Sequence, residues 1–369
     1  MVLLGSTGSI GQNTLDIARR YSLHVTALCA NSNTEFLNKQ IKEFNPKFVA
    51  IADKSKVKEI NHPNVYAGDE GVLEMIEAAY EKNEILVNAL VGFAGLAPTL
   101  KANALGYKIA LANKESLVTA GEFLNIPNII PIDSEHFGLW YLLGQREPKR
   151  LLLTASGGAF RDTPPEKLAF ATLKNALKHP NWKMGKKITI DSATMVNKLF
   201  EVLEAYWLFS CKEIDAFIET KSIIHALVEF VDGSTTAHLA NADMRLPIAF
   251  ALLNKIDKPI APNVNLLHVR NLEFKDIDVS RYPVWQLRKI LLEKSHLGVV
   301  LNAANDEATK LFLEEKIAFN DISKCIMSAM EKFEHVKANS VDEVFLINLE
   351  VKSFCSKFLN DRLHVREKQ

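Results

Sequence analysis

Met1-Val-Leu-Leu-Gly5-Ser-Thr-Gly8-Ser-Ile-Gly11-Gln-Asn-Thr-Leu15-Asp-Ile-Ala-Arg-Arg20 opens the chain, and its reading decides the fold. Residues 1–4 form a short apolar run of the buried-strand type, and a helical pattern follows the glycines through Arg20. Strand, glycine loop and helix in that order is the setting in which a glycine motif binds a dinucleotide pyrophosphate. The glycines allow a tight turn and close backbone approach, and the helix N-terminus faces the anion. The spacing is G-x-x-G-x-x-G, a variant of the G-x-G-x-x-G fingerprint that also suits an ordinary strand-to-helix turn. Further strands are expected at 24–30, 48–53, 85–89 and 108–112 with helical patterns between most of them, which makes a doubly wound parallel sheet. The second strand ends in Asn31-Ser32-Asn33, where an NAD site usually carries an acid for the ribose 2′-hydroxyl. No acid stands there, so NADP is favoured.

The whole chain bounds the reading. Its 369 residues are too many for one ordinary core, and 48% hydrophobic with 24% charged residues is the composition of a soluble globular protein. Zero formal net charge and no long basic run argue against a nucleic-acid surface. Cys29, Cys211, Cys325 and Cys355 are widely spaced, which suits free thiols in a reducing compartment better than disulfides or zinc. No run of about 18 apolar residues is present, so no membrane span is expected. The chain opens directly on its first strand, without a signal or transit peptide, and a cytoplasmic location is expected.

Chemistry-bearing residues gather at the ends of apolar runs. Asn113-Lys114-Glu115 lies just past the carboxyl end of the 108–112 strand, where parallel sheets bind ligands. The expected strand 128–132 runs into Asp133-Ser134-Glu135-His136. If the strand continues, its i and i+2 carboxylates converge, whereas a loop with an aspartate N-cap is the alternative. Ser156-Gly157-Gly158 follows a strand at 151–154 and leaves backbone N–H groups for an anion. His179-Pro-Asn-Trp182-Lys-Met184-Gly185 reads as a loop furnished to close as a lid. A short strand at 188–191 is expected to deliver the chain to Ser192 at the start of an almost wholly apolar helix. That helix carries Thr194, Asn197, Lys198, Glu201 and Glu204 within an arc of about 120°. A charged stripe on a buried helix needs partners, either a ligand and cation or an internal Lys198–glutamate salt bridge. Glu201 with Asp133 and Glu135 would make an all-oxygen site suited to Mg²⁺ or Mn²⁺.

Seven blocks in order make the chain resemble the 1-deoxy-D-xylulose 5-phosphate reductoisomerases: G-S-T-G-S-I-G, L-A-N-K-E-S-L-V, D-S-E-H, S-G-G-A-F-R, H-P-N-W-K-M-G, D-S-A-T-M-V-N-K and D-G-S…A-D-M-R, from Gly5 to Arg245. The resemblance implies an α/β enzyme with an N-terminal Rossmann-type NADPH-binding domain at 1–132. It implies a central α+β catalytic domain at 133–258 with a flexible lid at 176–187, a linker at 259–282 and a C-terminal helical bundle at 283–369. Thr7, Gly8, Ser9 and Ile10 would hold the NADPH pyrophosphate, Asn31 and Asn33 the adenosine ribose and 2′-phosphate, and Asn113, Glu115 and Gly185 the rest of the cofactor. Asp133, Glu135 and Glu201 would ligate a divalent metal (Mg²⁺, Mn²⁺ or Co²⁺). Lys114, Ser134 and Glu135 would hold the reacting oxygens, and Ser156, His179, Ser192, Asn197 and Lys198 the phosphate end of the phosphosugar. Trp182 and Met184 would belong to the lid, Glu204 would support the site without touching a ligand, and the assembly would be a homodimer with neither nucleic acid nor membrane as partner.

The chain also departs from the family pattern. Leu199 replaces the usual glycine after N-K, the Asn31–Asn33 turn lacks a basic residue, and Glu219-Thr220-Lys221-Ser222 stands where many relatives have H-P-Q-S. A plain NADP-dependent dehydrogenase of another phosphorylated sugar would explain the glycine loop but leaves three carboxylates and an anion seat without a purpose.

Overall fold

The computed structural model describes residues 1–144, 146–253 and 255–366, with side chains through 361. In chain order the first elements are β1 (Val2–Leu4), α1 (Ser9–Tyr21), β2 (Ala27–Ala30), α2 (Thr34–Phe44), β3 (Phe48–Ile51), β4 (Val65–Ala67), α3 (Gly68–Ala78), β5 (Ile85–Asn88), α4 (Leu96–Leu105), β6 (Lys108–Leu111), α5 (Lys114–Ala120), β7 (Ile129–Pro131) and α6 (Ser134–Leu143). There follow β8 (Pro148–Ala155), α7 (Leu173–Ala176), α8 (Lys186–Thr194), α9 (Val196–Phe209), β9 (Ile214–Glu219), β10 (Ile224–Phe230), β11 (Thr235–Leu239) and α10 (Arg245–Leu252). The chain closes with α11 (Leu266–Val269), β12 (Phe274–Lys275), α12 (Arg288–Glu293), α13 (Gly298–Leu313), α14 (Phe319–Lys332) and α15 (Val341–Arg366).

Contacts group these elements into two compact units. The first holds Met1–Ser116, Leu124–Phe137 and Asp243–Pro262, and the second holds Leu117–Phe123, Gly138–Ala242 and the described residues from Asn263 on. The first unit is a parallel seven-stranded sheet in the order β4-β3-β2-β1-β5-β6-β7. Strand order reverses between β1 and β5, so a crevice opens at their carboxyl ends, the usual ligand position in such sheets. Val2, Leu3 and Leu4 are fully buried because helices cover both faces, which is why the strand reads as a continuous apolar run. α10 belongs to this unit despite its distance in sequence. Ile248 and Ala249 share one core with Leu3 and Ile17, and Arg245 pairs with Asp16 of α1 at 3.4 Å.

The second unit contains a mixed five-stranded sheet in the order β11-β10-β8-β9-β12, parallel between β8 and β9 and antiparallel elsewhere. α9 packs on β8 and β9, and Val196, Leu199, Phe200, Val202 and Leu203 are all buried. α13, α14 and α15 pack on one another as a helical bundle, as expected from the continuous helical pattern after Pro283.

Two local expectations are corrected. Residues 188–191 are helical, not a strand: α8 runs through Thr194, so Ser192 and Thr194 lie in its last turn rather than at the start of α9. Ile188, Thr189 and Ile190 favour strands in isolation, but tertiary context overrides propensity, and Thr189 Oγ1 donates to Gly185 O at 2.8 Å. The second correction concerns Asp133 and Glu135. β7 stops at Pro131 and α6 starts at Ser134, so these two carboxylates do not converge through strand alternation. Asp133 is instead the N-cap, its carboxylate taking the Glu135 N–H at 3.3 Å and its carbonyl the Phe137 N–H at 2.9 Å. β4 and β9 were not anticipated, although I-D-A-F-I-E of β9 carries the required alternation.

Candidate active site

In the first unit the glycine loop is shaped by contacts that leave no space for side chains. Gly5 has φ +77°, and a Cβ there would sit 2.6 Å from Ala89 O, so the loops after β1 and β5 touch at the switch point. A Cβ on Gly11 would come within 2.3 Å of Gly5 O, which is how α1 starts flush against the loop. Gly8 donates to Gly5 O at 3.0 Å and precedes α1 without a side-chain cap, leaving the first N–H groups of the helix without intrahelical acceptors. Thr7, Gly8, Ser9 and Ile10 are exposed or half-buried, so these donors are accessible. Asn31 and Asn33 are exposed at the end of β2, and the Asn33 side-chain oxygen caps α2 by accepting from Phe36 N–H at 3.1 Å.

Asn113 and Glu115 line the same crevice as a buried polar bracket. Asn113 Nδ2 donates to Leu90 O (3.0 Å) and Gly92 O (2.9 Å), while Glu115 accepts from Gly92 N–H (3.1 Å) and from Asn113 Nδ2 (3.1 Å). Together they fix the loop after β5. A Cβ on Gly95 would lie 2.4 Å from the Asn113 amide, so the bracket depends on that glycine.

At the carboxyl ends of β6 and β7, Lys114 Nζ stands 2.5 Å from Asp133 Oδ2, with Lys114 only 5% exposed. His136, wholly buried, has Nδ1 3.7 Å from Asp133 Oδ1, and Ser134 Oγ donates to Glu135 Oε2 at 2.5 Å. Burial pushes the Asp133 carboxyl up, but the Lys114 ammonium and then His136 hold it well below the usual carboxylate range. Asp133 is therefore ionised across the working pH range and offers oxygens only, beside a second carboxylate in Glu135. That is the chemistry of a hard-cation ligand set.

In the second unit Ser156, His179 and Ser192 meet at one point. Ser156 Oγ lies 2.8 Å from His179 Nε2 and 3.5 Å from Ser192 Oγ, and it accepts from Gly158 N–H at 3.1 Å. His179 Nδ1 accepts from the N–H groups of Trp182 (2.9 Å) and Asn181 (3.2 Å), so the ring proton sits on Nε2 and points into the seat. Gly158, with φ +67°, lets the Ser156 loop approach α8: a Cβ there would meet Ser192 O at 2.6 Å. Burial, then the charge of Arg161, lowers the His179 imidazole from 6.5 to about 4.

This has a measurable consequence. The His179 titration, followed by NMR, is expected near pH 4 in the free protein and above its ordinary 6.5 when inorganic phosphate fills the seat. A midpoint unmoved by phosphate would exclude His179 from the seat. Because the folded value lies below the unfolded one, the folded chain binds fewer protons than the unfolded chain across this interval. Stability without anion is therefore fully present above 6.5 and falls as pH drops toward 4.

On α9, Asn197 Nδ2 and Lys198 Nζ both donate to the Glu201 carboxylate, one to each oxygen. Lys198 is 3% and Glu201 1% exposed. The internal salt bridge weighed as the alternative is thus made; a ligand or cation at Glu201 would exchange places with Lys198 rather than fill bare space. Glu204 is fully buried one turn on, and Leu199 packs into the core where the family pattern has glycine. Trp182 and Met184 are half-buried, with Trp182 edge-on to His225 at 6.0 Å. Gly185 is the N-cap of α8.

Several supporting residues carried no readable signal. Tyr282 OH donates to Gly157 O at 2.7 Å and Arg281 Nη1 to Phe160 O at 2.8 Å, so the end of the expected linker buttresses the Ser156 loop. Arg161 Nη1 bridges Ser156 O (3.0 Å) and Thr220 O (2.9 Å), a role its place in S-G-G-A-F-R could have suggested. Glu219 is buried, and its carboxylate accepts from the N–H groups of Lys221 (2.8 Å), Ile223 (2.7 Å) and Ile224 (3.2 Å). The turn it shapes reaches the loop expected to act as a lid, since Asn181 Nδ2 donates to Ser222 Oγ at 2.7 Å.

Known proteins of one kind match this chain along its length. Family models described as 1-deoxy-D-xylulose 5-phosphate reductoisomerase, that enzyme's C-terminal domain and the DXP reductoisomerase C-terminal domain match residues 1–121, 129–209 and 239–354. The 1-deoxy-D-xylulose 5-phosphate reductoisomerase of Nautilia profundicola is 59% identical over 363 residues, covering 96% of this chain and 99% of its own. The Wolinella succinogenes protein of the same name is 51% identical over 360 residues, covering 97% and 100%. A crystal structure of DOX-P reductoisomerase in complex with NADPH, fosmidomycin and magnesium aligns with a TM-score of 0.90 at 32% identity, over 99% of this chain and 98% of its own. The Zymomonas mobilis reductoisomerase in complex with NADPH aligns at 0.86 and 32%, over 97% and 98%. With the glycine-loop crevice, the Lys114–Asp133 cluster and the serine–histidine seat in place, this chain belongs to the 1-deoxy-D-xylulose 5-phosphate reductoisomerase family.

Proposed function

We propose that this chain converts 1-deoxy-D-xylulose 5-phosphate to 2-C-methyl-D-erythritol 4-phosphate in the non-mevalonate isoprenoid pathway. The observation that carries this reading is the occurrence, in one member of that family, of a dinucleotide-type crevice, a carboxylate cluster around Asp133 and a separate anion seat. Segment 1–132 binds NADPH, 133–258 with its lid at 176–187 holds metal and substrate, 259–282 links, and the helices of 283–369 brace.

Asp133, Glu135 and Glu201 hold the divalent metal. The donor set fits such an ion, because it consists of carboxylate oxygens with lysines at hand to keep the charge balanced when the ion is absent. When bound, the metal supplies a Lewis acid for charge developing on the substrate oxygens, and NADPH supplies the hydride that reduces the rearranged aldehyde. Lys114, Ser134 and Glu135 orient the reacting oxygens. Ser156, His179 and Ser192 bind the phosphate, with the proton on His179 Nε2 donated to it, and Asn197 and Lys198 hold neighbouring hydroxyls. Phosphate binding far from the reacting carbons supplies orientation, and Trp182 and Met184 exclude water as the lid closes. Thr7, Gly8, Ser9 and Ile10 hold the pyrophosphate, Asn31 and Asn33 the adenosine end, and Asn113, Glu115 and Gly185 the remainder.

Two statements about setting accompany this. The chain works in the cytoplasm: its four thiols are free, three of them buried, and no described helix is long and apolar enough to cross a membrane. It pairs with a second copy. β11 is a sheet edge, and Trp140 and Tyr141 of nearby α6 are 50% and 56% exposed, with the Tyr141 ring tilted against His238 of β11, centroids 5.7 Å apart. A monomer in sedimentation equilibrium at micromolar concentration would refute the pairing.

The deciding experiment is NADPH oxidation with 1-deoxy-D-xylulose 5-phosphate, before and after chelation. Turnover is expected to vanish with chelator and return with Mg²⁺ or Mn²⁺, and NMR of the product is expected to show the branched carbon skeleton. Turnover indifferent to chelator, or an unbranched product, would overturn the assignment.

A further inference from the structure

We infer that Asn305, on α13 of the C-terminal bundle, is a positioning residue for the phosphate seat: it fixes α8 through Asp191, and so sets where the adjacent Ser192 stands. The inference rests on the reading of Ser156, His179 and Ser192 as that seat.

α8 is nine residues long and follows the lid directly from its N-cap, Gly185. It ends on Met195, whose φ of +70° breaks it from α9. A helix this short has little stability of its own, so its rotation about its axis is set by what it packs against. Asp191 is the part of α8 that is gripped. Its side chain is 4% exposed, Oδ1 accepts from Asn305 Nδ2 at 2.9 Å, and Oδ2 accepts from Lys187 Nζ at 2.7 Å. Lys187 Nζ lies 3.4 Å from Asp306 Oδ1, and Asp306 Oδ2 accepts from Lys352 of α15 at 3.4 Å. Charges of alternating sign thus run from α8 through α13 to α15.

Asn305 is the uncharged member of this chain and the one with a defined direction. It is fully buried, and its Oδ1 accepts from Thr309 Oγ1 at 3.3 Å, so the amide cannot turn over without losing that bond and setting its oxygen against the Asp191 carboxylate. Without Asn305 the buried carboxylate keeps Lys187, which lies on α8 itself, but loses this tie to α13, so α8 can shift and Ser192 with it. Ser192 Oγ stands 3.5 Å from Ser156 Oγ, and Gly158 is packed so tightly on Ser192 O that a Cβ would intrude to 2.6 Å. Rotation of α8 by a fraction of a turn would therefore open the seat on one side and clash with the Ser156 loop on the other. Asn305 touches neither substrate nor cofactor in this reading; it acts through Asp191.

The test is steady-state kinetics on Asn305→Ala, Asn305→Asp, the swap Asp191→Asn with Asn305→Asp, and Ser192→Ala. Asn305→Ala is expected to raise KM for 1-deoxy-D-xylulose 5-phosphate by about 10-fold or more, the scale of one hydrogen bond to a charged group, with KM for NADPH and kcat within about 2-fold. Asn305→Asp sets two carboxylates together and is expected to be worse, whereas the swap restores one donor facing one carboxylate and is expected to bring KM back to within about 3-fold of the parent. Equal increases in both KM values, no increase in either, or a swap no better than Asn305→Asp would overturn the positioning role. Should Asn305→Ala not fold, the comparison of Asn305→Asp with the swap decides in the same way. Ser192→Ala separates the two levels: if it leaves the sugar phosphate KM unchanged the seat reading fails, and if it raises that KM while Asn305→Ala does not, only the present inference fails.

Discussion

Glu201→Gln is expected to lower turnover of 1-deoxy-D-xylulose 5-phosphate by at least about 10²–10³-fold, the usual loss when one charge-stabilising group is removed from an active site. The change keeps the side chain's size and one acceptor oxygen but removes the charge that pairs with Lys198 and that, in the proposed function, holds the metal. Glu201 accepts from Asn197 and Lys198 with almost no solvent contact, so a second effect is expected as well. Lys198 loses its counter-charge, and breaking a buried pair costs about 3–5 kcal/mol when one partner is left unmatched. Thermal unfolding should therefore fall by several degrees while most of the protein remains folded at 25 °C. The double variant Lys198→Met with Glu201→Gln separates the contributions, because replacing both buried charges by neutral groups is often harmless to stability. Recovery of the unfolding temperature without recovery of turnover is the expected outcome. Recovery of both would reduce Glu201 to one half of an internal salt bridge.

Gly11→Ala is expected to weaken NADPH binding about 10- to 100-fold and to lower the unfolding temperature. The added Cβ would lie 2.3 Å from Gly5 O and 2.6 Å from backbone atoms of Ser6, and backbone cannot step aside as a side-chain end can. Forcing an atom into such a space costs about 1–3 kcal/mol, which must be met by moving α1 away from the loop proposed to hold the pyrophosphate. Calorimetric titration with NADPH checks this, and affinity equal to the parent's would show that the loop is not the cofactor's phosphate site.

Legibility in the sequence was uneven for physical reasons. The parallel sheet could be read because its strands are buried on both faces, and Val2–Leu4 or Phe48–Ile51 then appear as apolar runs that no surface element would carry. Ser156, His179 and Ser192 could be placed in one site only through family blocks, since nothing local says that residues 156, 179 and 192 meet. Asp133 shows the opposite case. Its importance was readable, but the geometry assumed for it was not, because a strand end and a helix N-cap share the same residue preferences. In α8, three β-branched residues were outweighed by packing against α9 and α13. Glu219 opens the segment that stands where many relatives have H-P-Q-S, and nothing local says that its carboxylate organises three backbone N–H groups of the turn bonded to Asn181.

The sequence by itself determined the buried strands of the parallel sheet, the glycine loop and the C-terminal helices, and marked the polar residues proposed to carry the chemistry, because hydrophobic period, turn residues and charge on an apolar helix are local properties. Only the tertiary structure decided what stands behind them: α10 returning to the first sheet, Tyr282 and Arg281 bracing the Ser156 loop, and Asn305 holding Asp191. Those contacts join residues from 114 to 229 positions apart. The free energy that selects them comes from satisfying buried polar groups, and which donor reaches which acceptor is settled only when the chain is packed.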